Sequence, residues 1–292
     1  MTTNQPRIIA ALMGDHHNPF WTGMESDYHR LGPDMGLTVQ CHYASPEQDP
    51  GAQAAELARL GGQDYQLIII NPLNQSCLAR EVLNLAQKGI KLLDVGSKTA
   101  RSLVAEAGSN YVPVKTVDFE EQGRVGGGRL GQLLPAGSEV ALLGGRPTAA
   151  QSVGRLVGAL KALEEAGALV AAQAFADFDE EQGSLVAGEI LAAHPDLAGF
   201  FCANDLMALG AARAARAAGR PEVLCVGVDL IPQAITAIAK GELAASVAFS
   251  RAEVAKQVLT AALASLAGEP WPDRYCVNSR LATRENLAEF GG

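Results

Sequence analysis

Four short polar words stand out in a chain poor in aromatic and charged clusters: Asn18-Pro19-Phe20-Trp21, Asn71-Pro72, Asn204-Asp205 and Asp229. Each follows an apolar run. An amide offers two donors and an acceptor in fixed geometry, which matches a hydroxyl that gives and receives one hydrogen bond. A carboxylate such as Asp229 accepts stronger, charge-assisted hydrogen bonds. Phe20 and Trp21 are the densest aromatic pair, and aromatic faces stack on the C–H faces of pyranose or furanose rings. Phe178, in ADFDEEQG, is a candidate second stacking wall. The chemistry implied is recognition of a hydroxylated ring, without bond making.

The elements that must position these residues follow from periodicity. Continuous apolar runs at 7–13, 37–42, 67–70, 90–95, 139–143, 169–175, 199–203, 223–228 and 243–248 read as strands buried on both faces. Amphipathic stretches at 52–60, 78–88, 153–166, 182–193, 205–218 and 252–267 read as helices between them. Repeated strand–helix alternation predicts parallel sheets covered by helices. Nine strands exceed the usual single sheet, so two are expected. A faint internal repeat agrees: Asn18 and Gln151, Asn71 and Asn204, and Gly96 and Asp229 share one offset of 133 residues. All six follow strands, and ligands of open α/β sheets bind beyond the carboxyl ends of the strands. Asp205 reads as the better cap of the helix after FFCA, which leaves Asn204 free for a ligand.

The words HNPFW, LIIINP, ADFDEEQG, AAHPDLAGFFCANDLMALGAARAARAAG, VLCVGVD and KGELAASVA occur in order over essentially the whole chain. Together they resemble the ribose-binding-protein family of type I periplasmic binding proteins. The resemblance implies an α/β fold of two doubly wound parallel-sheet lobes joined by a three-crossing hinge. It implies an N-terminal lobe of 6–116 plus 250–276 and a C-terminal lobe of 117–249 plus 277–290, with crossings near 114–118, 248–251 and 275–279. It further implies a monomeric, non-enzymatic solute-binding protein. Such a protein closes on a sugar or polyol-like ligand and delivers it to a membrane ABC permease or a sensor. Carried over residue by residue, the ligand positions are Asn18, Phe20, Trp21, Asn71, Phe178, Asn204 and Asp229.

The departures from that pattern narrow the ligand. Gly96-Ser97 stand where the family often has Asp-Arg, the second-lobe ligand arginine falls on Val153, and a late glutamine falls on Phe249. A clamp that has lost an acid, a guanidinium and an amide disfavours ribose. It favours a deoxy, methylated, smaller or more apolar polyol-like compound. Ser97, Lys98, Gln151, Arg146 or Asp15 are expected to supply compensating contacts.

Other signals point away from chemistry. Gly126–Gly131 matches GxGxxG but follows a polar stretch instead of a strand, which a dinucleotide fingerprint requires. Asp15-His16-His17 puts adjacent histidines on opposite sides of an extended segment, and the five cysteines show no metal spacing, so no metal or cofactor is expected. The acidic run Asp177, Asp179, Glu180 and Glu181 suits a helix start. No acid/base pair or nucleophile can be nominated for an enzyme.

With 292 residues, a net charge of −9 and no basic stripe, nucleic-acid and anionic-membrane binding are disfavoured. No run reaches the ~20 apolar residues of a membrane span, and the polar start Met-Thr-Thr-Asn-Gln-Pro lacks a secretory signal. The expected location is the periplasm if a signal has been removed, with a cytoplasmic location as the alternative. The rival function is the effector-binding core of a lactose-repressor-type regulator, which shares the fold; the absence of an N-terminal helix-turn-helix speaks against it.

Overall fold

A computed structural model describes residues 7–275 and 277–290 of the chain. The polar start, Pro6 and Cys276, on which the expected lobe bounds and the last crossing partly fall, lie outside the described residues. The chain divides into two compact units, Met1–Val117 with Ser250–Val277 and Asp118–Phe249 with Asn278–Gly292. It passes from one to the other three times, at 117–118, 249–250 and 277–278.

Unit 1 carries a sheet of five parallel strands. They are β1 (Arg7–Leu12), β2 (Leu37–His42), β3 (Leu67–Ile70), β4 (Lys91–Val95) and β5 (Tyr111–Val114). The spatial order is β2-β1-β3-β4-β5. Every residue of β3, Leu-Ile-Ile-Ile, is buried, because helices cover both faces of a parallel sheet. The helices are α1 (Pro19–Leu31), α2 (Pro50–Leu60), α3 (Ala79–Gln87) and the short α4 (Arg101–Val104). A last helix of this unit arrives from beyond the second one, as given below.

Unit 2 repeats the plan. Its strands are β6 (Glu139–Gly144), β7 (Leu169–Phe175), β8 (Leu197–Cys202), β9 (Leu224–Val228) and β10 (Ala245–Phe249), followed by β11 (Ser279–Ala282). The order is β11-β10-β9-β8-β6-β7, so its parallel part runs as unit 1 does, with β11 added antiparallel to β10. Its helices are α5 (Phe119–Leu133), α6 (Ala150–Glu165), α7 (Glu180–Ala193), α8 (Asp205–Ala217) and α9 (Pro232–Lys240). Helix α10 (Arg251–Ala267) returns to unit 1, where it packs on α1, β3, β4 and β5.

The expected α/β class with two parallel-dominant sheets is therefore what the molecule has. The residues paired by the offset of 133 occupy matching places: Asn71 after β3 and Asn204 after β8, Gly96 after β4 and Asp229 after β9, Asn18 and Gln151 at the starts of α1 and α6. Two strands escaped the sequence reading, β5 and β11. The glycines of GRVGGGRLG lie inside α5 and serve packing. A Cβ on Gly123 would meet Arg155 O at 1.9 Å, and one on Gly158 would meet Glu120 O at 1.9 Å, so α5 and α6 touch backbone to backbone.

Candidate functional site

In each unit the candidate residues gather at the carboxyl edge of its sheet. Six non-glycine residues among those described have positive φ: Gln48, Ser97, Asp177, Phe178, Asp229 and Leu230. All six lie in loops that leave the carboxyl ends of strands. Backbone held in sparsely populated conformations persists only where the surroundings fix it, and such residues cluster at binding sites.

In unit 1 the chain leaves β1 in one direction and β3 in the other, the switch point at which open sheets bind ligands. Asn71 sits there, buried. Its Nδ2 donates to Leu12 O at 3.0 Å, and Gln53 of α2 donates to its backbone oxygen at 2.9 Å. The Asn71 Oδ1 is buried with no hydrogen-bond partner among the described residues. Asn18 caps α1, its Oδ1 accepting from Phe20 N at 3.0 Å. Phe20 and Trp21 meet edge to face, with ring centroids 5.0 Å apart. The Trp21 ring lies so close over Gly14 that a Cβ there would meet it at 2.5 Å. Its face is approached by Lys98 Nζ, 5.0 Å from the ring centroid.

The loop carrying Ser97 and Lys98 is pinned from beneath by Asp94 of β4. This fully buried carboxylate accepts from Lys98 N at 3.0 Å, Thr99 N at 2.7 Å and Tyr111 OH at 2.7 Å. Burial, then the Asp94 charge, holds the Tyr111 phenol well above its ordinary value. Asp94 ends a run that reads as plain strand, and its role is visible only when β4 and β5 are paired.

In unit 2 the loop after β9 carries Asp229, at φ 109°. Its carboxylate pairs with Arg155 of α6 at 3.0 Å, the two side chains being 9% and 6% exposed. Arg155 also donates to Ala203 O at 2.6 Å and to Gln122 of α5 at 2.8 Å. One guanidinium thus ties α5, α6 and the ends of β8 and β9. The sequence reading places the family's second-lobe ligand arginine on Val153. Val153 lies on another face of α6, lining a small apolar cavity of about 120 Å³ with Leu156, Val157, Leu160, Gln173 and Phe175. Arg155, two residues on, supplies the guanidinium of the pair with Asp229.

One correction concerns Asn204. It, and not Asp205, caps α8, its Oδ1 accepting from Met207 N at 3.0 Å. Its Nδ2 donates to Phe178 O at 3.0 Å, so the amide is engaged at each end and holds the loop that presents Phe178. The Phe178 ring lies against Gly145, where a Cβ would meet it at 2.2 Å. Gln151, in the first turn of α6, has a buried Oε1 without a partner among the described residues. Phe249 ends β10, opposite Ser279 of β11, and is half-buried.

Asp205 instead points into the unit. It accepts from Ser246 Oγ at 2.7 Å and Ile231 N at 2.9 Å. Gly227 allows the approach, since a Cβ there would meet the carboxylate at 2.2 Å. Burial, then the Asp229 charge, pushes the Asp205 carboxyl well above the usual carboxylate range. The folded state therefore binds this proton more tightly than the unfolded chain, whose Asp titrates near ~3.9. Its contribution to stability is fully present below that pH and is lost as pH rises through the raised value. Denaturant unfolding of wild type and Asp205→Asn from pH 4 to 8 is expected to favour the variant increasingly as pH rises. A constant difference over that range would mean that Asp205 titrates alike in the folded and unfolded chain.

Comparison with known proteins matches residues 9–270 to the periplasmic binding protein domain. The chain belongs to that family. It is 32% identical to the D-allose-binding periplasmic protein of Escherichia coli, over 84% of this chain and 80% of that one. It is 25% identical to the ribose import binding protein RbsB of the same organism, over 95% and 90% of the two chains. Among solved structures, it superposes with a TM-score of 0.87 on an ABC transporter periplasmic solute binding protein from Actinobacillus succinogenes with bound D-allose. That chain is 26% identical, with 97% of this chain and 99% of that one covered. The family binds solutes and is not enzymatic, and these relatives favour the binding-protein reading over the repressor core. No helix among the described residues is long and apolar enough to cross a membrane.

Proposed function

We propose that this protein captures a monosaccharide or closed-ring polyol with the carboxyl-edge residues of its two units, outside the cytoplasmic membrane, and delivers it to an ABC importer. Asn18, Phe20, Trp21, Asn71 and Ser97 would meet the ligand from unit 1, and Gln151, Phe178, Asn204, Asp229 and Phe249 from unit 2. A ligand that takes contacts from both units favours whichever conformation offers them together, so binding shifts the population toward it. The domain bounds 6–116 with 250–276 and 117–249 with 277–290 belong to the same reading.

The observation that carries the proposal is the buried Oδ1 of Asn71, unpartnered among the described residues and oriented by the bond its Nδ2 makes to Leu12 O. A buried acceptor left unmet costs roughly 1–3 kcal/mol, and a ligand hydroxyl supplies the missing donor. The relatives named for D-allose and ribose support the ligand class. Gly96 and Phe249 in place of polar residues favour a ligand with fewer hydroxyls to satisfy than ribose offers.

Calorimetry with D-allose, D-ribose, myo-inositol and their deoxy and O-methyl analogues tests this. One hydroxylated ring is expected to bind at micromolar affinity or better. Asn71→Ala and Asp229→Asn should each weaken it about 10–100-fold, the worth of a hydrogen bond to a buried or charged acceptor. No binding by any ring, or unchanged affinity in each variant, would remove the proposed site. Micromolar ribose binding would refute only the narrowing of the ligand.

A further inference from the structure

We propose that Glu25, His29 and Cys41 form a binding site for a borderline divalent cation of the zinc class, on unit 1 and separate from the strand-end residues. Glu25 and His29 stand one helical turn apart on α1, so they share a face. Cys41 comes from β2. One ligand atom from each of the three, a carboxylate oxygen, an imidazole nitrogen and the thiol sulfur, lies within 4.8 Å of the others. Zinc–ligand bonds of about 2.0–2.3 Å in tetrahedral geometry separate the ligand atoms by about 3.3–3.8 Å. Modest side-chain rotation closes the difference, and water completes the fourth position.

The donor set selects the metal. A thiolate and an imidazole suit zinc, cobalt or cadmium, whereas calcium and magnesium require oxygen ligands throughout. The outer shell is built as well: Tyr43 OH donates to Glu25 Oε2 at 2.8 Å, leaving its other oxygen for the cation. Beside the cluster lies Tyr28, fully buried and close enough to Cys41 to interact with it electrostatically. The Tyr28 hydroxyl has no hydrogen-bond partner among the described residues, an orphaned polar group that a metal-bound water would satisfy. His29 is exposed and Glu25 and Cys41 half-buried, which provides an entry path. The linear spacing hides all this, because two ligands come from a helix and the third from a strand.

Titration of the reduced, metal-free protein with cobalt(II) tests the site. One equivalent is expected to produce a near-ultraviolet thiolate-to-cobalt charge-transfer band, and zinc should abolish it by displacement. Cys41→Ser should eliminate the band, and His29→Gln should weaken binding by about tenfold or more with an unchanged circular dichroism spectrum. His29 is exposed, so that variant keeps the fold. The adjacent pair His16 and His17 is the competing surface for metal, and a His16→Gln/His17→Gln variant should retain the band. Absence of the band, its persistence in Cys41→Ser, or its loss in the His16/His17 variant would each overturn the proposal.

Discussion

Replacing Arg155 with alanine is expected to destabilise the protein by about 3 kcal/mol, because it removes the buried guanidinium that lies 3.0 Å from the part-buried Asp229 carboxylate. The same change leaves Ala203 O and the Gln122 amide short of a donor. Urea unfolding measures the loss. The cause can be separated from the loss of bulk with a charge-free pair. Arg155→Met with Asp229→Asn should recover most of the stability, since replacing a buried ion pair by uncharged groups is often nearly neutral. On the proposed site, ligand affinity should remain low in the double variant, because Asp229→Asn removes the charged acceptor. If the single and double variants unfold at the same denaturant concentration, the stranded charge is not the cause.

Gly158→Ala is expected to cost about 3 kcal/mol, at the upper end of overpacking effects, because the added methyl would lie 1.9 Å from Glu120 O. The obstacle is backbone, which no rotamer change relieves, so α5 and α6 must part. Gly123→Ala makes the reciprocal clash with Arg155 O at 1.9 Å. Once the helices have separated, the second methyl finds space, so the double variant should cost clearly less than the sum of the singles. Separation also shifts Gln122 and Arg155, so ligand affinity should fall with stability. Gly188 in α7 is the control: a Cβ there meets nothing within 4 Å. Gly188→Ala should stabilise by roughly 0.5–1 kcal/mol, the usual gain for a mid-helix glycine. Destabilisation by Gly188→Ala equal to that at Gly158 would show that helix-packing geometry does not decide these costs.

The sheets were legible because their strands are buried on both faces and therefore read as unbroken apolar runs. Where that condition fails, the reading failed. β5 contains Pro113 and tolerates it as an edge strand, and the half-exposed β11 has no apolar run at all. The strand-end asparagines and Asp229 were legible from their places after those runs. What each does locally was not. Asp205 reads as the better cap although residue type ranks Asn and Asp alike, and the bond of Met207 N to Asn204, with the pairing of Asp205 to Ser246 and Ile231, reverses that order. Arg155 lies on an amphipathic helix, where an arginine reads as solvated. Its burial depends on α5 lying close enough to cover it, which the glycines of that helix permit. The network around Asp94 was hidden for the same reason, since its partners come from β5 and from the loop it pins.

The return of α10 to unit 1 has a consequence for how the polypeptide emerges from the ribosome. The five parallel strands and five helices of unit 2 are contiguous, and only β11 is added later. Unit 1 must wait for α10, which covers β3, β4 and β5 and is made after all of β6 to β10. The order of synthesis therefore permits the reverse of the usual first-made, first-folded sequence. The segment synthesised second can close its core first, while the earlier one lacks the cover of its final helix until that helix appears.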